Sequence, residues 1–179
     1  MPLAISIPNG YALERLDTSR HSRENFSCGK PELDVFLRTQ ASQAQSKYLS
    51  ATHAVIRTEM TSEGLYPIAG YVTLVSSEIP LSECPPAFKK VTNRERLPIL
   101  LLARMASDLA YKGNRIGECL LKFALIKALE MNQNSGCAAL FVDAKDEDSK
   151  AFYLKYDFTP LLDRPMRLFL PVAKIEKLI

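Results

Sequence analysis

The segment of this 179-residue chain best suited to chemistry is the turn Tyr111 to Gly117 (YKGNRIG), which joins an apolar run to an amphipathic one. Such a junction of strand and helix leaves the first backbone N–H groups of the helix unpaired and directed at whatever lies before it. Gly113 and Gly117 allow a ligand to approach the backbone, and Lys112 and Arg115 add positive charge beside it. Together with Asn114 and Ile116 they form a fitting seat for a diphosphate. Taken alone, the same residues also describe an ordinary tight turn with solvated charges. The dinucleotide fingerprint G-x-G-x-x-G is missing, and so is the G-K-[ST] of a P-loop.

The elements that must hold this turn follow from periodicity. Ile99 to Leu109 is apolar and of strand length, and Ile116, Leu120, Phe123, Ala124 and Leu129 keep helical spacing up to Gly136. Ala138 to Asp143 reads as a second buried strand, followed by a helix with an acidic opening and then by strand material in FTPLL and RLFLPV. Upstream, Tyr11 to Leu16 reads as a short strand, and Pro31 opens a helix predicted to run to about Lys47. Ala51 to Glu59 and Ile68 to Ile79 form a predicted hairpin across the turn-prone TSEGLYP. Pro80 to Pro98 reads as a long basic excursion, with room for a short helix. An antiparallel first half and two strand-to-helix units in the second predict a mixed α/β (α+β) sheet in one domain, residues 1–179.

The turn resembles the phosphate signature Q/R-x-x-G-x-G/A of the GNAT acetyltransferases, with Lys112, Arg115 and Gly117 at the matching positions. About 30 residues on, DEDSKAFYLKYDF (Asp146 to Phe158) sets Asp146, Ser149 and Tyr153 at the spacing of the superfamily's N-x-x-A-x-x-x-Y segment. Asp146 stands for the usual Asn and Asp157 for the usual Gly. Further segments, FSCGKPELDVFL from Phe26, GYVTL from Gly70 and LARMASD from Leu102, resemble in order those of the tRNA-acetylating toxins of bacterial toxin–antitoxin pairs. The resemblance implies the GNAT fold, a mixed central sheet with a splayed central strand flanked by helices. It also implies acetyl-CoA as cosubstrate, an aminoacyl-tRNA acceptor whose α-amine is blocked so that translation stops, a ribbon-helix-helix antitoxin and a homodimer. It implies an N-acetyltransferase (EC 2.3.1) whose cofactor contacts are the backbone at Met105, Ala106 and Ser107, the turn from Lys112 through Gly113, Asn114, Arg115 and Ile116 to Gly117, and Asp146 with Ser149. Tyr153 takes the role of general acid: a phenol with a reference pKa of about 10, against about 8.5 for a thiol, is protonated at neutral pH and can donate to a departing thiolate.

No base is assigned. Glu78, Asp108 and Asp143 lie near predicted strand ends, and each reads equally well as a structural charge. An α-amine acceptor softens the need, because its pKa of about 8 makes it more than a hundredfold richer in neutral amine at pH 7 than a lysine at about 10.4. For RNA, Lys89, Lys90, Arg94 and Arg96 are the candidate phosphate contacts, with Arg20, Arg23 and Lys30 near the first helix. The net charge of +3 permits a polyanion without demanding one. Cys28, Cys84, Cys119 and Cys137 are scattered without a C-x-x-C pair, which argues against zinc and against a disulfide framework. No apolar run is long enough to span a bilayer, so a cytoplasmic, membrane-free protein without metal is expected. Two other readings stay open: a GNAT enzyme acting on a small amine or a protein N-terminus, and an inert CoA-binding regulator.

Overall fold

The computed structural model describes residues 5–90 and 92–178. Strand β1 (Tyr11–Arg15) is followed by the short β2 (His21–Ser22) and by a helical stretch, α1 (Pro31–Val35), a π turn (Phe36–Gln40) and α2 (Ala41–Ser46). The hairpin β3 (Ala51–Arg57) and β4 (Tyr66–Pro80) leads through a 3-10 turn and α3 (Pro86–Lys89) into β5 (Arg96–Ser107). A second 3-10 turn (Leu109–Tyr111) precedes α4 (Ile116–Ser135), then β6 (Ala139–Asp143), α5 (Glu147–Leu154), β7 (Thr159–Pro160), β8 (Arg167–Pro171) and α6 (Val172–Leu178). The sheet order is β1-β3-β4-β5-β6-β8-β7, with β2 paired to β4 off this path. β5 and β6 are parallel, whereas β1 with β3, β3 with β4, and β8 with its two neighbours are antiparallel. The mixed sheet flanked by helices meets the sequence expectation.

Contacts divide the chain into two compact units, Met1–Val75 with Ala103–Ala124, and Ser76–Leu102 with Leu125–Ile179. In the first, Phe26, Phe36, Leu37, Tyr71 and Ala106 form the apolar centre, with the Phe26 ring edge-on to Tyr71 at 5.6 Å and Phe36 stacked on it at 6.2 Å. The fully buried Tyr71 keeps its polar end satisfied by donating to the Leu33 carbonyl at 2.8 Å. Thr52 and Thr73, opposite one another in β3 and β4, share a hydroxyl hydrogen bond of 2.8 Å. The second unit is centred on Ile79, Leu97, Ile99, Phe141, Leu161 and Phe169, with Phe141 stacked on Phe169 at 5.7 Å.

Several boundaries differ from expectation for local reasons. The helix from Pro31 is interrupted: the Ala41 N–H reaches back five residues to Phe36 O, so one extra residue enters the turn while Leu37 and Ala41 both remain fully buried. β5 begins at Arg96, three residues early, because Pro98 lacks only a donor and its carbonyl accepts from Ala138 N–H at 2.8 Å. It ends at Ser107, where the Asp108 carboxylate caps the following 3-10 turn by accepting from Ala110 N–H at 2.8 Å. The terminal RLFLPV, expected as strand, stops at Pro171 and becomes α6, whose Val172 and Ile175 are buried.

Candidate cofactor and acid site

In the first unit, Gly70 sets how closely α4 approaches the sheet. A Cβ there would meet Ile116 Cγ2 at 2.6 Å and the Ala106 carbonyl at 2.9 Å, so only glycine admits the first residue of the helix. The strand end is fixed in turn by Asp108. Its carboxylate also accepts from Ser27 N–H at 3.1 Å, its own N–H donates to Ala69 O at 2.8 Å, and Leu109 N–H donates to Ser27 O at 2.9 Å. The 3-10 turn releases the chain into Lys112, Gly113 (φ +86°), Asn114 and Arg115 (φ +58°). Asn114 closes the loop by donating its side-chain N–H to Tyr111 O at 3.0 Å.

Arg115 thus takes the left-handed conformation that favours glycine, as does Asp157 (φ +66°) after α5, and these are the two positions where this chain replaces a glycine of the GNAT pattern. The Arg115 side chain does not fill the cradle: it is 74% exposed and pairs with Glu118 at 2.6 Å. The backbone of the turn therefore keeps its glycine-like course with an arginine in it. A cavity of about 290 Å³ opens beside the turn, lined by Ser6, Pro8, Gly113, Asn114, Arg115 and Lys122. Its left-handed backbone, cations and helix-start amides fit a diphosphate.

Before the turn, β5 alternates: Ala106 is buried in the apolar centre, and Met105 and Ser107 lie half-buried on the other face. The ladder of β5 with β6 covers Leu100–Leu102, whereas the strand continues to Ser107, and the division between the two units in β5 falls at that point.

In the second unit, Asp146 caps α5. Its carboxylate accepts from Ser149 N–H at 2.8 Å, and the Ser149 hydroxyl accepts from Asp146 N–H at 3.1 Å, a reciprocal capping box. The two residues read from sequence as cofactor contacts thus also fix the entry of the helix that carries Tyr153. Tyr153 is buried at 5% exposure between the rings of Phe152 (5.3 Å) and Phe158 (5.4 Å). That apolar burial pushes its phenol well above the ordinary tyrosine range, so it holds its proton throughout the neutral region. The turn after α5, bent through Asp157, is held from α6, where Lys174 donates to Asp157 O at 3.1 Å.

The three carboxylates considered as bases all have structural partners. Glu78 pairs with Arg96, Asp143 pairs with Arg167 at 3.2 Å, and Asp108 holds Ser27 and Ala110. Of the predicted RNA contacts, Lys90 is exposed and Lys89 donates to Ser82 O at 3.4 Å. Arg94 and Arg96 line a polar cavity of about 450 Å³ with Ser76, Ser77 and Ser135. All four cysteines are free thiols; the Cys28 thiol is pushed by burial, and by its hydrogen bond to Asp34, up to about 11. Among the described residues no cluster of three or more His, Cys, Asp or Glu side chains is placed to hold a metal ion, and no helix is long and apolar enough to cross a membrane. Nothing in residue type marks Asp108 as a clamp, whereas Arg104, two residues before the buried Ala106, shares its face of β5.

A mixed sheet whose central parallel strand runs through a cationic, glycine-like turn into a long helix is the GNAT fold, the fold of CoA-dependent N-acetyltransferases. No protein-family model matches the chain. It is 27% identical over 175 residues to a probable toxin TacT of Sinorhizobium fredii, covering 93% of this chain and 94% of that one. It is 26% identical over 171 residues to a tRNA-acetylating toxin of Mycobacterium tuberculosis, covering 96% and 98%. Among solved structures, AtaT complexed with acetyl-methionyl-tRNA is 26% identical, with a TM-score of 0.84 over 94% of this chain and 98% of that one. AtaTR bound with acetyl-CoA is 26% identical with a TM-score of 0.81, covering 95% and 98%. The chain is a homologue of the acetyltransferase toxins along nearly its whole length.

Proposed function

We propose that this protein is a cytoplasmic toxin that transfers the acetyl group of acetyl-CoA to the α-amine of an aminoacyl-tRNA and so blocks translation. The observation that carries this reading is the near full-length likeness to AtaT, solved with acetyl-methionyl-tRNA, in a chain whose phosphate turn keeps a glycine-like backbone through Arg115. A partner antitoxin of the ribbon-helix-helix kind and a homodimeric state belong to the same reading; the antitoxin is supported by AtaT structures solved with AtaR.

Acetyl-CoA supplies an activated thioester. The backbone amides from Gly113 to Gly117, with Lys112, hold its diphosphate, and Asp146 and Ser149 support the pantetheine arm through the start of α5. The backbone at Met105 to Ser107 receives the acetyl oxygen, where donors aimed at developing negative charge lower the barrier. Tyr153 donates its proton to the departing sulfur. Burial keeps the phenol protonated and makes it a weaker acid in the free protein, so it acts as a hydrogen-bond donor to sulfur that gives up its proton only as thiolate charge develops beside it. With Glu78, Asp108 and Asp143 engaged elsewhere, the amine attacks in its neutral form, the proton it sheds on becoming an amide passes to water, and water returns a proton to the Tyr153 phenolate. That suits an α-amine far better than a lysine. The exposed cations Lys89, Lys90 and Arg94, with Arg96, supply backbone contacts to the RNA.

Incubation with labelled acetyl-CoA and charged tRNA, with the Tyr153→Phe variant in parallel, tests the reading. Label on charged tRNA that is lost in the variant is the expected result. Label on small amines alone contradicts the substrate, and undiminished transfer by Tyr153→Phe contradicts the acid.

A further inference from the structure

The N-terminal FSCGKPELDVFL run is not used by the phosphate turn or by Tyr153, yet it builds a site of its own. Phe36, at the start of the π turn, lays its ring against the guanidinium of Arg104, whose carbon sits 4.0 Å from the ring centroid. Arg104 lies on β5 one residue before Met105, on the face shared with the buried Ala106, and is itself half-buried. Among the described residues its guanidinium makes no hydrogen bond and no ion pair; besides the Phe36 ring, its charge faces the buried Tyr71 phenol. Asp34 is the nearby acid, and it is already occupied: its carboxylate accepts from Cys28 N–H at 2.9 Å and from the Cys28 thiol. Tyr71 and Cys28, the other titratable groups facing this cluster, are both held neutral by burial.

None of the Arg104 guanidinium nitrogens is among the atoms buried without a partner, so its donors stay open to solvent and to an incoming anion. The Phe36 ring supports the guanidinium from one side at 4.0 Å while its N–H donors carry no hydrogen bond, and a guanidinium so held can receive a phosphate through two parallel hydrogen bonds. The diphosphate of acetyl-CoA already has its seat in the turn at Lys112 to Gly117, and Arg104 projects from the opposite face of the strand to Met105 and Ser107. We propose that Arg104, braced on Phe36, binds a phosphate of the acceptor end of the RNA substrate. This inference rests on the reading of the protein as an aminoacyl-tRNA acetyltransferase.

The test compares two acceptors with the full chain: charged tRNA, and an aminoacyl-adenosine carrying the same amine without phosphates. Arg104→Met is expected to raise KM for charged tRNA about ten- to a hundredfold, the weight of a charge-assisted contact, with kcat nearly unchanged. The salt dependence of log kcat/KM becomes shallower by about one. Turnover of the aminoacyl-adenosine and KM for acetyl-CoA stay as in the wild type. Arg104→Lys, which keeps the charge but not the fork, recovers part of the loss and guards against misfolding of the methionine variant. An unchanged KM for charged tRNA overturns the proposal, as does equal loss on both acceptors or a raised KM for acetyl-CoA. Wild-type protein that turns over small amines but never charged tRNA marks the failure of the underlying functional reading instead, and takes the proposal with it.

Discussion

Replacing Gly70 by alanine puts a methyl carbon 2.6 Å from Ile116 Cγ2, 2.9 Å from the Ala106 carbonyl oxygen and 3.0 Å from Leu120 Cδ1. In an open strand the change from Gly to Ala stabilises by about 0.5–1 kcal/mol, because the unfolded chain loses freedom. Here the overlap with a fully packed helix costs about 1–3 kcal/mol, as overfilled cores do, so a net loss of about 1–2 kcal/mol is expected. Two of the three clashing groups belong to α4, and Ile116 is its first residue. The cheapest relief is a shift of that first turn, which carries the proposed phosphate cradle with it. Urea unfolding should therefore show a lower midpoint, and calorimetry weaker acetyl-CoA binding. Ile116→Ala alone costs about 2–5 kcal/mol by opening a cavity. Joined to Gly70→Ala it should cost less than the sum by about 1 kcal/mol, because the new methyl occupies part of the space vacated. A Gly70→Ala protein as stable as the wild type, or strict additivity in the double variant, would refute this account of the approach.

Arg115→Gly should raise stability by about 0.5 kcal/mol, since relief of the left-handed strain outweighs the loss of an exposed ion pair and the added freedom of the unfolded chain. Arg115→Ala keeps the strain and should fall slightly below wild type, so urea midpoints in any other order contradict the strain argument. Asp146→Ala should lose about 1 kcal/mol by removing the α5 cap while Asp146→Asn stays near neutral, as thermal unfolding can show. Tyr153→Phe should keep the fold and lower acetyl transfer about 10²–10⁴-fold in single-turnover assays. Burial raises the Cys28 thiol from 9.0 to about 11, so its unfolded form gives up the proton first. Its contribution to stability is fully present below about pH 9 and is lost as pH rises toward about 11, which denaturant titrations across that range measure in the wild type against Cys28→Ala.

The strand, turn and helix around Lys112 to Gly117 were legible because an apolar run followed by 3.6-residue spacing admits few other structures. That Tyr153 sits on a helix opened by Asp146 was legible from the acidic residues at its start. What escaped the sequence depends on geometry that residue type conceals. One inserted residue in the π turn leaves the apolar stripe of Leu33, Leu37 and Ala41 intact, so periodicity sees an unbroken helix. Arg115 and Asp157 hide left-handed turns, because only glycine announces that conformation and the strain is carried by the surrounding packing. Asp146 and Ser149 were read only as cofactor contacts, and their capping box appears once the turn before α5 has formed. The clamp of Asp108 on Ser27, 81 residues away in sequence, and the stacking of Arg104 on Phe36 exist only once the chain has folded.

The acetyl acceptor is read most directly from the amino acid recovered from the RNA. Charged tRNA incubated with acetyl-CoA and the protein is hydrolysed at its ester bond, and the released amino acid is weighed by mass spectrometry. An aminoacyl-tRNA acetyltransferase yields an α-N-acetyl amino acid, formed by the wild type and lost with Tyr153→Phe. Unmodified amino acid from the wild-type reaction, while the same preparation consumes acetyl-CoA on another amine, would contradict that activity.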